Sequence, residues 1–424
     1  MLSAEENRKV TQAGPGTPLG NLMRRYWIPA CLSEEVAEPD GEPVQVKLLG
    51  ESLIAFRETS GKIGLTDEFC PHRLASLWLG RNEECGIRCV YHGWKFDING
   101  ACVDMPNESE ETQFKHKVHL KTYPTVEMGG VVWAYLGPKE KMPPFPKFEW
   151  TQVPSTHRHV SKTWEECNWL QAMEGGLDTS HSSFLHRAID ENTNKAGTRG
   201  YRSIAGAPKL EVDLTGYGYR YASLRNVSPE TNYVRTYHFV MPFHQLRASQ
   251  IRDGGKPSRP IISGHIWVPM DDENCMVYNW MYSFGEELGG SRGEMESAAG
   301  RSHADQLPDF RNIRNKSNRW MIDRQVQKTE TYTGIEGINT QDLAVQESMG
   351  PIVDRTQEHL GAADKAIAQM RRILLRSMDM IQNGEEPPGV GTDYYMIRAV
   401  EDTLPADADW RSSLLDRMYV KQQP

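Results

Sequence analysis

The sequence predicts an α+β protein: a small β-rich N-terminal domain, then a larger domain that combines helical segments with an antiparallel sheet. Three observations predict it. Short β-like runs, VQVKLLG, SLIAFRE and KIGLTDEF, follow one another from Val44, separated by glycine or polar turns. A proline-rich, charged stretch, KEKMPPFPKF, breaks the pattern near residue 145. Beyond it, helix-like and strand-like textures occupy separate blocks rather than alternating.

Residues 1–43 read as an arm expected to pack on the larger domain. The turn-rich QAGPGTPLG is followed by RRYWIPACL. Residues 44–145 form the β-rich domain, with VVWAYLG as its last strand. Residues 146–424 form the third part. KTWEECNWLQAMEGGLDTSHSSFLHR, residues 162–187, reads as mainly helical despite Gly175 and Gly176. Residues 208–284 carry β-branched and aromatic runs that fit an antiparallel sheet. Residues 340–382 read as helical again, and ADKAIAQMRRILLRSMDMI is strongly amphipathic.

Composition bounds the function. The 424 residues carry a net charge of −9, which argues against a nucleic-acid partner. No apolar run approaches the ~20 residues needed to span a bilayer, and MLSAEENRKV lacks the apolar core of a secretory signal. A cytoplasmic location is the expectation. The 7 cysteines are odd in number, so reduced thiols or metal ligands are expected in place of disulfides.

The chemistry is concentrated in CPHRLASLWLGRNEECGIRCVYHGW. Cys70 and His72 form one Cys-x-His pair, and Cys89 and His92 a Cys-x-x-His pair. One zinc ion is able to take all four ligands. A [2Fe–2S] cluster is able to take both thiolates on one iron and both imidazoles on the other, the Rieske arrangement. Each loop mixes the two residue types, which suits the two-iron cluster. Replacing two thiolates by neutral imidazoles lowers the cluster's negative charge. Its potential then rises to roughly −150 to +300 mV, against about −400 mV for plant-type ferredoxins. Gly93 lets the loop approach the cluster, and Trp94 is placed to shield it. Cys85 and Cys102 fall outside the spacing and read as ordinary thiols.

A cluster moves electrons but makes no bonds, so an enzyme needs a second site. Glu174, Asp178 and His181 are spaced to share one helix face. His181 and His186 meet at one metal only if the helix bends or ends between them. Asp342, in NTQDLAVQESMGPIVDR, is the candidate third ligand. Two histidines and a carboxylate make the facial triad of non-haem Fe(II) oxygenases, which leaves positions open for oxygen.

Together these segments resemble the Rieske non-haem iron aromatic-ring-hydroxylating oxygenase α-subunits. CPH…CVYHGWKF resembles that family's cluster motif, EGGLDTSHSSFLHR its mononuclear-iron motif, and QDLAVQESMGPIVDR the segment supplying its carboxylate. RRYWIPACLSEEV and the length resemble the phthalate dioxygenase branch. The resemblance implies one [2Fe–2S] Rieske cluster on Cys70, His72, Cys89 and His92. It implies one Fe(II) per subunit on His181, His186 and Asp342. It further implies a head-to-tail homotrimer or stacked hexamer, with Asp178 bridging a cluster histidine to an iron histidine across the subunit boundary. Glu174 and Asn168 belong to the same motif and are candidates for supporting that site.

The implied partners are dioxygen, an aromatic carboxylate such as phthalate or a related benzoate, and a separate NAD(P)H-dependent reductase. No G-x-G-x-x-G fingerprint follows a strand in this chain. The implied reaction is cis-dihydroxylation, with mono-oxygenation or O-demethylation of a substituted benzoate as the alternative. A non-catalytic Rieske electron carrier is disfavoured by the second iron motif. An anionic substrate needs cations in its pocket. Arg202, Lys209, Arg220, Arg225, Arg235, His244 and Arg247 are on offer, and Lys209 and Arg247 are the chosen candidates.

Overall fold

The computed structural model describes residues 1–190, 197–249 and 260–420. The β-rich part contains three small sheets. Val44–Leu48, Glu51–Arg57 and Ile63–Asp67 form one antiparallel sheet. Four three-residue strands from Arg81 to Asp104 form a second. In the third, Trp27–Leu32 pairs with Val131–Tyr135, which pairs with Thr125–Met128.

This last sheet corrects the expected boundary of the arm. WIPACL lies within residues 1–43, yet it is a fully buried strand of the β-rich part. An all-apolar run of that kind has no solvent face, so it takes a central place in the packing instead of a surface course. Only the chain before it lies on the larger domain. There helix α1 (Ala4–Thr11) is tied down by Asn168, whose side chain donates to the Thr11 carbonyl (2.9 Å), and by Trp169, whose indole donates to Val10 (3.2 Å).

The larger domain is built on an eight-stranded antiparallel sheet. Its strands are β1 (Arg158–Glu165), β2 (Lys209–Thr215), β3 (Gly218–Ser228), β4 (Thr231–Val240), β5 (His244–Ala248), β6 (Ile261–Pro269), β7 (Cys275–Ser283) and β8 (Glu401–Pro405). The order is β1-β7-β6-β5-β4-β3-β2, and β8 pairs with β4. Helix α2 (Trp169–Leu177) lies on the inner face against β6. Helix α3 (Gly197–Ile204), α4 (Ile338–Ser348) and α5 (Lys365–Gln382) follow, and α6 (Trp410–Met418) covers the outer face over β2 and β3.

One large hydrophobic core runs from α1 through the Trp27–Leu32 sheet into the inner face of the large sheet. A separate small core holds Ile54, Phe56, Leu77, Ile87, Trp94 and Phe96 together with Cys70 and Cys89. The Cys/His loops therefore rest on their own packed support. No helix among the described residues is long and apolar enough to cross a membrane.

Candidate metal centres and the adjoining cavity

The two Cys/His loops fold into tight turns. The Cys70 carbonyl accepts from Leu74 N (2.9 Å), and the Cys89 carbonyl accepts from Gly93 N (2.9 Å). Gly93 has φ +79°, and a Cβ there would lie 2.6 Å from Pro106, so both conformation and space require glycine. The turns place like beside like. The buried Cys70 and Cys89 thiols face each other, and burial followed by that neighbour pushes the Cys70 thiol up to about 12. The His72 and His92 rings meet edge to face at 4.4 Å. His72 Nδ1 is buried without a hydrogen-bond partner among the described residues. Trp94 stacks on His72 at 4.4 Å and 10°, anchored by a hydrogen bond to Asn107 (2.6 Å). Paired thiols on one side and paired imidazoles on the other fit a two-iron cluster with a different donor type on each iron.

The second centre lies under the large sheet. Here the expectation of one helix face carrying Glu174, Asp178 and His181 is corrected. Helix α2 ends at Leu177, Asp178 is extended (φ −64°, ψ 133°), and His181 opens a separate 3-10 turn. The chain breaks there because Gly175 and Gly176 are poor helix formers and because the Asp178 carboxylate caps the next turn. It accepts from Ser180 N (2.7 Å), Ser180 Oγ (2.8 Å) and His181 N (3.1 Å). Packing demands the second glycine, because a Cβ at Gly176 would sit 2.1 Å from the Trp267 ring, whereas one at Gly175 would meet only the flexible end of Gln346.

This break brings His181, His186 and Asp342 together, with their ligand atoms within 4.8 Å of one another. Asp342 Oδ1 lies 3.3 Å from His186 Nε2 and 3.6 Å from His181 Nε2. The His186 ring is held from behind through Nδ1, 2.8 Å from Gln341 Oε1. His181 Nδ1 lies 3.4 Å from Asp178 Oδ2. Burial opposes ionisation of Asp342, but His186 and His181 outweigh it and hold its pKa below the usual carboxylate range. Two imidazoles and a carboxylate converging from one side fit a metal with open positions on the other.

Glu174 and Asn168 do different work. Glu174 accepts from Arg355 (2.9 Å) and Arg371 (2.6 Å), tying α2 to the chain after α4 and to α5. Asn168 caps α2 through Leu170 N (3.1 Å).

A cavity of about 320 Å³ opens beside the triad, within the usual size range of small-ligand sites. Arg202, Arg235 and Arg247 line it, with Tyr237, His265, Trp267 and Val277. Strand register explains the selection. Arg235 pairs with Ser223, Tyr237 with Arg247, and Arg247 with Ser263, all on the inner face. Lys209 pairs with Leu224, on the outer face beneath α6. Its exposed ammonium bonds Glu211 (2.7 Å), so Lys209 is corrected: it is not a cavity residue. Arg220 also points outward, to Asp213 (3.2 Å), and His244 is buried against Phe148 (4.9 Å). Arg225 faces inward but spends its donors on Thr179, Ser183 and Ala205.

The three cavity arginines are not equivalent. Arg235 is bound to the Ala248 carbonyl (3.0 Å) and lies 3.7 Å from Glu401. Burial, then the nearby Arg235, pulls Arg202 and Arg247 down to about 10, as expected of cations with no close counter-ion among the described residues. Both remain charged at neutral pH. Arg202 Nε is buried without a partner among the described residues, and Arg247 spends Nε on Ser263 (3.2 Å).

A cluster-binding β domain joined to a helix-covered sheet that holds a two-histidine, one-carboxylate triad defines an iron oxygenase fed by an iron–sulfur centre. Comparison with known proteins agrees. Residues 26–124 match the Rieske [2Fe–2S] domain, and residues 134–423 match the "LigXa C-terminal domain like" family. The chain is 37% identical to the phthalate 4,5-dioxygenase oxygenase subunit of Pseudomonas putida, over 97% of this chain and 94% of that one. It is 38% identical to the 3-chlorobenzoate-3,4-dioxygenase oxygenase subunit of Comamonas testosteroni, over 99% of both. It is 31% identical to the 5,5'-dehydrodivanillate O-demethylase oxygenase subunit of a Sphingobium strain, over 100% of this chain and 90% of that one. The crystal structure of dicamba monooxygenase bound to dicamba shares the fold, with a TM-score of 0.60 at 17% identity, covering 85% of this chain and 98% of that one.

The chain belongs to the Rieske non-haem iron oxygenase subunits, in the phthalate dioxygenase-like branch. It is an enzyme component with a Rieske [2Fe–2S] cluster and a mononuclear iron as cofactors, and it takes electrons from a separate reductase.

Proposed function

We propose that this subunit cis-dihydroxylates an aromatic carboxylate of the phthalate or benzoate class. One observation carries the reading: Arg202 and Arg247 face the cavity beside His181, His186 and Asp342 as mostly buried cations with no close counter-ion among the described residues. A guanidinium binds a carboxylate through two parallel hydrogen bonds, and an incoming anion relieves the cost of burying the cation. The named substrates of the two dioxygenase relatives support the same class.

When bound, the mononuclear iron supplies dioxygen activation and the cluster supplies single electrons. His181, His186 and Asp342 hold the iron from one side, and Cys70, His72, Cys89 and His92 hold the cluster. Arg202 and Arg247 anchor the carboxylate, while Trp267 and Val277 give the ring an apolar seat.

The cluster loops carry exposed Leu74, Trp78, Leu79, Val90 and Tyr91, and Phe184, Ile338, Val345 and Met349 are exposed near the iron ligands. Two apolar patches of this kind in one chain support a head-to-tail trimer, or a stacked hexamer, in which each covers the other's neighbour. Asp178 then bridges His181 to a cluster histidine of the next subunit. The unpaired state of all 7 cysteines supports a cytoplasmic location alongside an NAD(P)H-dependent reductase.

O-demethylation of a substituted benzoate is the second reading, favoured by the full-length match to an O-demethylase subunit. Oxygen uptake with the reductase across phthalate isomers, benzoates and methoxybenzoates, under labelled oxygen gas, decides between them. A dihydrodiol carrying both labels is expected. Release of formaldehyde gives the second reading, and the absence of uptake with every carboxylate refutes both.

A further inference from the structure

The two histidines of the triad are not held alike. His181 Nδ1 lies 3.4 Å from Asp178 Oδ2, yet it has no hydrogen-bond partner among the described residues. His186 Nδ1 is 2.8 Å from Gln341 Oε1, a well-made bond. Gln341 is itself fixed. It is 7% exposed, and its Nε2 donates to the Ile335 carbonyl at 2.9 Å.

These two contacts settle where the ring proton sits. A backbone carbonyl only accepts, so the Gln341 amide must turn its nitrogen toward Ile335. Its oxygen then faces His186. An amide oxygen also only accepts, so a neutral imidazole there carries its proton on Nδ1. Nε2 is left as a bare lone pair, and it is Nε2 that faces Asp342 Oδ1, at 3.3 Å. His186 is thus held in the one neutral tautomer able to ligate a metal beside Asp342.

Helix α4 supplies both sides of this clamp. Gln341 and Asp342 are consecutive on it, so their side chains leave the helix about 100° apart. One meets the Nδ1 edge of the His186 ring and the other its Nε2 edge. Asp178 and Asp342 already place two carboxylates around the histidine pair, and an amide at 341 steadies the ring without adding a third charge.

We propose that Gln341 is a positioning residue of the mononuclear centre, which through Oε1 fixes the tautomer and orientation of His186 so that Nε2 is presented as a ligand. The inference rests on the reading of His181, His186 and Asp342 as the iron ligands, and it adds a residue outside that set.

The test measures the Fe(II) affinity of the mononuclear site by anaerobic titration. It uses the full-length protein, with its cluster loaded and the mononuclear iron first removed. Gln341→Leu is expected to weaken binding by about 10- to 100-fold at unchanged cluster content, as for other groups that orient a metal-bound imidazole. Gln341→Glu restores an oxygen acceptor for Nδ1, and is expected to bind roughly tenfold more tightly than Gln341→Leu, the ratio for one well-made hydrogen bond. A role in packing alone gives the reverse order, because a buried carboxylate is the costlier replacement. Co(II) in place of Fe(II) gives a second readout, since the oxidised cluster is EPR-silent. The Co(II) EPR spectrum is expected to change in Gln341→Leu and to return toward the native form in Gln341→Glu. Should Gln341→Leu fail to load its cluster, Gln341→Met, which keeps the length of glutamine, takes its place. Native Fe(II) affinity in the apolar variant, or a Gln341→Glu protein that binds no more tightly than it, overturns the proposal. His186→Ala separates the underlying reading: unchanged affinity in that variant refutes the ligand assignment itself, whatever Gln341 does.

Discussion

At the scale of single residues, Asp178 shows how one carboxylate serves both conformation and site. Two of its bonds are to backbone N–H groups and hold the turn, while Oδ2 also lies 3.4 Å from His181 Nδ1. Asp178→Asn keeps the turn but removes the charge that steadies the imidazole. The expected outcome is near-normal cluster and iron content with turnover lowered 10- to 100-fold, the usual cost of losing a carboxylate behind a metal-bound histidine. Metal analysis with single-turnover kinetics checks it, and full turnover would reject the bridging role. The same scale shows what the sequence leaves open. Arg247 and Lys209 are equally cationic and both sit on strands. Only the pairing of Arg247 with Tyr237, and of Lys209 with Leu224, tells which faces the cavity.

At the scale of elements, helix α2 is the hinge between support and site. Its inner glycines let it lie against Trp267 and Gln346, and its end releases Asp178 and His181 into the cavity. Glu174 holds it there through two arginines, of which Arg355 is fully buried. Glu174→Gln leaves Arg355 and Arg371 without their shared carboxylate, so a loss of about 3–5 kcal/mol is expected in denaturant unfolding. A loss below 1 kcal/mol would show that the network contributes little. The motif EGGLDTSH marked this region as important from sequence alone. It did not show that Glu174 supports the helix while Asp178 turns toward His181, because both occupy regular helical spacing until the backbone breaks between them.

At the scale of the whole molecule, burying the sheet's polar groups makes stability depend on pH. Burial pulls the His238 pKa down to about 4 and that of His244 to about 3. Both therefore stay neutral in the folded chain, where His238 bonds Tyr217 (2.7 Å) and the Arg398 carbonyl (3.1 Å). The unfolded chain takes up these protons first as the pH falls. Their contribution is complete above the ordinary histidine value of ~6.5 and is lost on the way down through 4 and then 3. Each tenfold drop in a histidine's proton affinity on folding corresponds to about 1.4 kcal/mol, so a decline of several kcal/mol between pH 6.5 and 4 is expected in urea unfolding. A flat profile over that window would contradict it.

The amino-acid sequence by itself determined the order of β-rich and mixed parts and singled out four candidate cluster ligands and three candidate iron ligands. Metal chemistry requires particular donor types, and most of these sit close together along the chain, where spacing is readable. Tertiary structure alone decided that Trp27–Leu32 joins the first part and that Arg202 and Arg247 face the cavity while Lys209 does not. Those outcomes depend on which strands pair and in which register, and a one-residue change of register would send every side chain of a strand to the opposite face.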